Sequence, residues 1–308
     1  MDAAGRRGDH AWVGALLDRR LAVIAAFVIL GGQACDSSTP TGPGVSFATL
    51  TPSGPPTTGR PSGGGAVSSA SPSATPRPSP TPYNRVAPGV TPTEGGSTNW
   101  SGYITGAHGR TFSHVQATWR QPTVRCPSTG HAAVSIWIGM SDTTGERKIE
   151  QIGTTAACRD GRVDYYAWYE LVPKQRASVP IRLGVKAGDL ITVSVDRSGN
   201  RYTLTIKAGT GRARLARTYA GEARAVEWIV EAPCSPTSSG CPVDPLAKFD
   251  TITMRMTLAR SAGHTGSIDD PSWTTERITM RTRSGVTKAR PGSLQVDGSR
   301  FSVVWRHR

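Results

Sequence analysis

The most restrictive feature of this sequence is a succession of short runs rich in β-branched and aromatic residues, which continues from Thr98 to the C-terminus. Turn signals such as Gly188-Asp189 and Ser198-Gly199-Asn200 separate the runs, and no segment has helical periodicity. Many short strands at regular spacing are typical of a two-sheet antiparallel β-sandwich. We therefore predict an all-β fold, with strands at Asn99–Ile104, Val115–Trp119, Ala132–Ile138, Lys148–Ile152, Val163–Tyr169, Ile181–Val185, Leu190–Asp196, Arg201–Lys207, Arg217–Tyr219, Ala225–Glu231, Thr251–Leu258, Glu276–Arg281 and Phe301–Arg306.

The chain before Thr98 has a different composition. Basic residues precede an apolar run over 21–30, which is too short for a comfortable membrane span and is typical of a secretory leader. Residues 36–97 are rich in Ser, Thr, Pro and Gly, and they cannot bury enough apolar surface to offset the entropy of ordering. We predict a signal peptide or lipoprotein-type leader over 1–35, a disordered linker or pro-segment over 36–97 and a folded domain over 98–308. Small residues precede Cys35, so two localisations stay open: free secretion, or a lipid anchor on Cys35 at the cell surface.

Four of the five cysteines lie beyond the linker, at Cys126, Cys158, Cys234 and Cys241. An even number in an exported domain favours disulfides. Of the three arrangements that four cysteines allow, we favour Cys126–Cys158 with Cys234–Cys241, because the second pair flanks a short Pro/Ser/Gly turn. The six histidines are dispersed and none has ligand spacing, so we predict no metal site and no cofactor.

The formal net charge of +14 raises the question of a nucleic-acid partner. The Lys and Arg residues are scattered along the chain, however, and no nucleic-acid-binding motif accompanies them. We predict no nucleic-acid partner and a monomer, and we interpret the charge as serving solubility or attraction to an anionic surface.

Candidate functional residues come from the strand Ala225–Glu231 and its counterparts. Because side chains alternate along a strand, Trp228 and Val230 point one way, whereas Glu227, Ile229 and Glu231 point the other. Glu227 then either supports Glu231 or faces water. Other strands present the same mixture on one face: Trp137 with small neighbours, Gln151 beside Gly153, and Tyr166 with Trp168 and Glu170. A sheet face carrying Trp, Glu and Gln from several strands suggests a groove for an extended peptide or glycan.

An ordered set of motifs resembles the glutamic peptidases, or eqolisins, in the form of a bacterial-type secreted member. The set covers the whole predicted domain and consists of Thr98–Tyr103, Phe112–Trp119 with Pro122, Ser135–Gly139, the strand containing Gln151, Ala167–Glu170 with Pro173, Glu227–Glu231 and Asp297–Trp305.

This resemblance implies a fold of two strongly bent, packed antiparallel sheets like those of the concanavalin-type lectins. It implies an endopeptidase that acts in acid on polypeptides without a metal or a covalent intermediate. Glu231 would activate water as general base and Gln151 would stabilise the oxyanion. The resemblance places the substrate groove, or support for these two residues, at Trp100, Trp137, Trp168 and Glu170.

Two departures from the family pattern bear on specificity. Leu171-Val172 replaces a tyrosine-containing pair after Glu170, and Ala232-Pro233 replaces an Asp-Phe pair after Glu231. We therefore expect retained proteolysis with an altered side-chain preference, and the basic composition predicts a pH optimum closer to neutral. The alternative is a non-catalytic, lectin-like β-sandwich that binds glycan or another cell-surface polymer.

Overall fold

The computed structural model describes residues 89–142, 148–175, 177–235, 241–295 and 297–308. The predicted leader with Cys35, and the predicted linker up to residue 88, lie outside these ranges. Within them the chain forms eighteen β-strands, and no helix is long and apolar enough to cross a membrane.

The strands, numbered in chain order, have the following bounds: β1 Thr93–Ser97, β2 Trp100–Gly106, β3 Phe112–Arg120, β4 Val124–Arg125, β5 His131–Ser141, β6 Ile149–Arg159, β7 Arg162–Val172, β8 Val179–Gly184, β9 Leu190–Ser198, β10 Arg201–Ala208, β11 Gly211–Thr218, β12 Ala225–Glu231, β13 Lys248–Phe249, β14 Thr251–Ser261, β15 His264–Ser267, β16 Thr274–Arg281, β17 Thr287–Pro291 and β18 Arg300–Trp305.

One sheet contains sixteen of these strands, and its main path runs β11-β10-β9-β3-β14-β18-β17-β16-β2-β12-β5-β6-β7-β8. All its pairs are antiparallel except β1 with β16. The sheet folds back on itself, so that β3, β9, β10 and β14 lie against β5, β6 and β12. The predicted all-β sandwich is confirmed, with the difference that β18, β17 and β16 join its two layers into one continuous sheet. A separate pair, β4 with β13, completes the structure.

The main core lies between the two layers and takes every second side chain of their strands. Tyr103, Trp119, Ile136, Trp228 and Phe301 are among its fully buried members. Two of the buried indoles satisfy their N–H groups internally, since Trp119 donates to Thr154 Oγ1 (3.2 Å) and Trp228 donates to the Gln116 carbonyl (2.9 Å).

The sequence did not predict β1, β4, β13, β15 or β17, and it placed β11 too late. Strand β1 reads Thr-Glu-Gly-Gly-Ser and is held by its backbone pairing with β16, so it carries no apolar alternation by which it could be recognised. It also extends the sheet five residues ahead of the predicted domain start at Thr98.

Both favoured disulfides are present. Cys126–Cys158 links the segment after β4 to the end of β6, with a Cα–Cα distance of 5.3 Å. Cys234–Cys241 joins two residues that follow β12, seven positions apart in the sequence.

Candidate active site

A second face, here called the site face, is formed by the sides of β2, β12, β5, β6 and β7 that point away from the main core. A smaller apolar cluster lies on it, separate from the main core. Its members are Ile104, Trp137, Trp168, Ala225, Ile229 and Ile278, with Trp100 and Tyr166 packed against them. Glu227 and Glu231 alternate with Trp228 along β12 and therefore point to the site face, as the period-two pattern predicted.

Glu231 is held from two sides at the end of β12. The Trp137 indole N–H donates to its Oε2 (2.7 Å), and the Asn99 side-chain amide donates to its Oε1 (3.0 Å). Asn99 is itself fixed, because Ser97 Oγ donates to its Oδ1 (3.1 Å) and its own carbonyl accepts from the Ala232 N–H (2.8 Å). The carboxylate of Glu231 is thus oriented by two donors, the buried Trp137 indole and the hydrogen-bonded Asn99 amide, whose own positions are fixed.

Burial raises the pKa of Glu231 to about 7, although the residue keeps partial solvent exposure. The hydrogen bond from Trp137 opposes this shift, as do the contributions of Trp100 and Asn99, whereas the negative charge of Glu170 adds to it. The Trp100 indole N–H acts from outside normal hydrogen-bonding geometry, since it has no hydrogen-bond partner in the part of the chain that the structure describes. The carboxyl group therefore changes charge near neutrality.

Trp137 reaches Glu231 as a diagonal neighbour, because Trp137 lies opposite Ile229 and Glu231 is two residues further along β12 on the same face. Trp137 on β5 pairs with Gly153 on β6, where a Cβ atom would lie 2.2 Å from the Ile136 carbonyl and 2.6 Å from Trp137 Cβ. Only glycine fits at position 153 without displacing this backbone. The Trp100 ring meets the Trp137 ring edge-on, with centroids 5.2 Å apart.

Gln151 and Glu170 form a second pair on the site face, where β6 and β7 place them directly opposite each other. Gln151 Nε2 donates to Glu170 Oε2 (3.0 Å), and Gln151 Oε1 is buried without a hydrogen-bond partner among the described residues. Burial raises the pKa of Glu170 to about 7, and the hydrogen bond from Gln151 opposes that shift. The amide is therefore anchored through its nitrogen and can accept a hydrogen bond through its oxygen.

The register relates the two groups. Gln151 pairs with Gly139, which pairs with Glu227, whereas Glu231 pairs with Ser135. Gln151 and Glu231 thus lie on the same face, two strands apart and offset by four residues. Glu170 is close enough to Glu231 for its charge to raise the pKa of that residue. The site face thus presents one amide and two carboxyl groups, with an indole bonded to one of the carboxyl groups.

The predicted groove residues differ in exposure. Trp137 is fully buried and Trp168 is 4% exposed, so these two indoles form the floor of the site face. Trp168 Nε1 donates to Thr155 Oγ1 (2.8 Å), which in turn hydrogen-bonds with Ser135 Oγ (2.7 Å). Trp100 and Glu170 remain partly exposed and are available for contact with a ligand.

Glu227 does not face water. Its side chain is 1% exposed, and it accepts a hydrogen bond from Ser141 Oγ (2.7 Å). Of the two alternatives for Glu227, exposure to water is therefore wrong.

No group of three or more His, Cys, Asp or Glu residues within the described ranges could hold a metal ion. A site built from Gln151, Glu170 and Glu231 can bind a water molecule, transfer its proton and donate to a carbonyl oxygen. That is the chemistry of an amide-bond hydrolase.

Comparison with protein families supports this assignment. Residues 98–296 match the description "Peptidase A4 family". The chain belongs to this family. The resemblance to glutamic peptidases predicted from the sequence is thereby confirmed.

Individual relatives of this A4 family chain are distant. Aspergillopepsin-2 from Aspergillus niger is 26% identical over 194 residues, which cover 55% of this chain and 66% of that protein, just under two thirds of its length. Scytalido-glutamic peptidase with a transition state analog inhibitor matches with a TM-score of 0.57 and 23% identity, covering 68% of this chain and 98% of that one. SCP-B, an eqolisin solved with the tripeptide Ala-Ile-His, matches with a TM-score of 0.54 and 23% identity over the same shares. These two structures establish the shared fold.

Sequence reasoning missed Asn99 and Ser97 as parts of the site. Asn99 lay inside the quoted Thr98–Tyr103 motif, so the signal was present. Its contact with Glu231 depends on the pairing of β2 with β12, in which Trp100 lies opposite Glu231.

Proposed function

We propose that this protein is an exported endopeptidase that hydrolyses peptide bonds in polypeptides by a Gln151/Glu231 mechanism. The observation that carries the proposal is the fixed Glu231 carboxyl group, gripped by Trp137 and Asn99 on the face that also presents Gln151. Membership of the peptidase A4 family supports peptide bonds as the substrate class.

In the proposed reaction Glu231 acts first as a base. Its ionised carboxylate takes a proton from a water molecule, whose oxygen attacks the scissile carbonyl carbon. The same proton then passes from Glu231 to the leaving amine, which breaks the C–N bond. The Trp137 indole and the Asn99 amide hold the Glu231 carboxyl group in place through both proton transfers. Glu231 therefore stays oriented toward the water molecule and then toward the leaving amine.

Gln151 supplies the electrostatic part of the reaction. It cannot titrate, and its amide N–H can donate to the oxyanion as negative charge develops. In the free protein that N–H donates to Glu170, so substrate binding shares or redirects this hydrogen bond. A protonated Glu170 leaves the amide freer to turn than an ionised one, because a charge-assisted hydrogen bond is the stronger.

The raised pKa values predict an optimum near neutral pH. Glu231 must be ionised to act as base, so activity falls as the pH drops below about 7. Glu170 must keep its proton, so activity also falls as the pH rises above about 7. The two groups interact, and the rate profile reports apparent pKa values of the pair. Because both pKa values lie near 7, we expect a narrow bell with its maximum near pH 7.

Export forms part of the proposal. Both disulfides of the folded region fit an oxidising compartment. The leader over 1–35 and the linker over 36–97, apart from its last five residues, which form β1, remain predictions from composition, as do the lipid on Cys35 and the monomeric state.

The test is digestion of a denatured protein substrate between pH 3 and 8 in the presence of an aspartic-peptidase inhibitor. We expect the native protein to cleave, Glu231→Gln to lose at least about 10³-fold in kcat/KM, and Gln151→Ala to lose about 10²–10³-fold. Glu222→Gln, which removes an exposed carboxylate elsewhere, is the matched control and should retain full activity. Glycan binding without cleavage by the native protein would establish the lectin-like alternative instead.

A further inference from the structure

The layer opposite the site face carries an outward surface that the proposed peptidase activity does not use. It is formed by β11, β10, β9, β3 and β14, on the side that points away from the main core. Along β10, Tyr202, Leu204 and Ile206 enter the core, so Thr205 and Lys207 point outward. This outward surface is called the basic face below.

Cations dominate the basic face. Arg120, Arg201, Lys207, Arg212, Arg214 and Arg260 project from it, and all are exposed or half-buried. Asp196 is the one carboxylate at an outward position of these five strands. Residues that are scattered in the sequence are therefore gathered by strand pairing into one field of positive charge.

The pairing places like charges together. Lys207 lies directly opposite Arg212, and Thr205 lies opposite Arg214. Within the described ranges, none of Lys207, Arg212 and Arg214 forms an ion pair with an acidic residue. Because directly opposed like charges destabilise a sheet, the stability of the fold does not explain this arrangement.

The pKa of Asp196 shows that the positive charges of the basic face act together on the same point. A hydrogen bond from His114 (2.7 Å) lowers the pKa of Asp196 despite partial burial, and the charges of Arg260 and Arg214 lower it further. Arg260 on β14 and Arg214 on β11 thus act on one carboxylate from two sides. Asp196, the single carboxylate at an outward position of the five strands, can neutralise only a small part of the positive charge around it. The remaining positive charge is available to an external partner.

The side chains of the basic face favour an acidic sugar chain over nucleic acid or a lipid surface. Its cations are interleaved with hydroxyl groups, including Thr118, Thr192, Ser194 and Thr205, which suit the hydroxyls of a sugar chain. No Phe, Tyr or Trp side chain occupies an outward position of β3, β9, β10 or β11. Single-stranded nucleic acid therefore lacks a stacking platform here. Exposed large apolar residues are too few for insertion into a lipid surface.

We propose that the basic face binds an acidic polysaccharide, and that it does so while the site face remains accessible. Arg212 and Arg214 are spaced by about 7 Å along β11, and neighbouring strands by about 5 Å, so the cations form a two-dimensional array. Most are arginines, whose planar guanidinium groups match carboxylates with two parallel hydrogen bonds. An extended polyuronate meets such an array over several sugar units.

Retention of the full chain on immobilised alginate, measured from 50 to 300 mM NaCl at pH 7, tests the proposal. The variant Lys207→Ser/Arg212→Ser/Arg214→Ser should bind at least tenfold more weakly at 0.1 M NaCl, with a shallower dependence of log K on log[NaCl]. The matched control is Arg159→Ser/Arg162→Ser/Arg283→Ser, which removes the same charge at exposed positions off the basic face. It should retain affinity within about twofold.

Three results would overturn the proposal. Equal weakening in both triple variants would show that net charge alone drives binding. Tighter binding of the full chain to single-stranded DNA of equal charge, or to phosphatidylglycerol vesicles, would assign the face to a different partner. Circular dichroism of both variants establishes that they fold. Because no variant touches Gln151, Glu170 or Glu231, peptide cleavage is measured independently.

Discussion

Glu150 provides the sharpest test of the structure, because the next residue along β6, Gln151, points to the opposite face. Glu150 is fully buried on the core side, and neither carboxyl oxygen has a hydrogen-bond partner among the described residues. Burial raises its pKa to about 9, and the negative charges of Asp142 and Glu227 add to the shift. The space is closed, since a Cβ on Gly221 would lie 2.2 Å from Glu150 Oε1. Glu150 is therefore protonated in the folded protein at neutral pH.

Replacing Glu150 by Gln keeps the shape and removes the titration. Between the unfolded pKa of 4.5 and the folded pKa of about 9, the unfolded chain loses a proton that the folded chain keeps. The free energy of unfolding then decreases by about 1.4 kcal/mol for each unit of rising pH. From pH 4.5 to pH 7 this amounts to about 3 kcal/mol, or about 6–12 °C in Tm for a domain of this size.

The assay is urea and thermal unfolding of both proteins at pH 4, 5.5 and 7. The stability of Glu150→Gln relative to the native protein should increase by about 3 kcal/mol across that range. Glu222→Gln is the control, because the hydrogen bond from Arg224 lowers the pKa of that exposed residue. Its smaller effect should have the opposite sign. Parallel stability curves for Glu150→Gln and the native protein would refute a buried, protonated Glu150.

Three further predictions concern the site and its frame. Trp137→Phe removes the indole donor to Glu231, so kcat/KM should fall by about 10²-fold and the acidic limb of its pH profile should move to higher pH; an unmoved limb would contradict the contact. Glu170→Gln should abolish the alkaline limb near pH 7 while leaving the acidic limb, and a retained alkaline limb would assign that ionisation elsewhere. Cys126→Ser/Cys158→Ser opens a loop with a sequence separation of 32, and denaturant unfolding should show a loss of about 4 kcal/mol; a loss under about 1 kcal/mol would contradict it.

The faces of the strands could be predicted from the sequence because one face of each strand must be buried. In β12 the alternation of Trp228 and Val230 with Glu227, Ile229 and Glu231 specifies which side chains point to the core. The family motifs then identified Gln151 and Glu231 as a candidate pair. Neither pattern gives the register, so the sequence did not reveal that Asn99 hydrogen-bonds Glu231 across the pairing of β2 with β12.

Two other features depend on long-range contacts that a single sequence does not encode locally. Glu150 occupies a core position on a strand that otherwise alternates normally, and polarity alone predicts an exposed side chain there. Lys207 and Arg212 belong to separate runs and become neighbours only through the β10–β11 register. The interpretation of the cations as scattered was correct for the chain and incomplete for the surface.

The buried carboxyl groups also determine how the whole fold responds to acid. Burial raises the pKa of Glu150, Glu170 and Glu231, so each makes the folded state more stable as the pH falls toward 4.5, and none adds stability below it. Asp196 acts in the opposite sense, because its hydrogen bond from His114 lowers its pKa and that stability is lost below the ordinary value of 3.8. The two trends meet near pH 4, where the combined contribution of these four groups to stability is greatest.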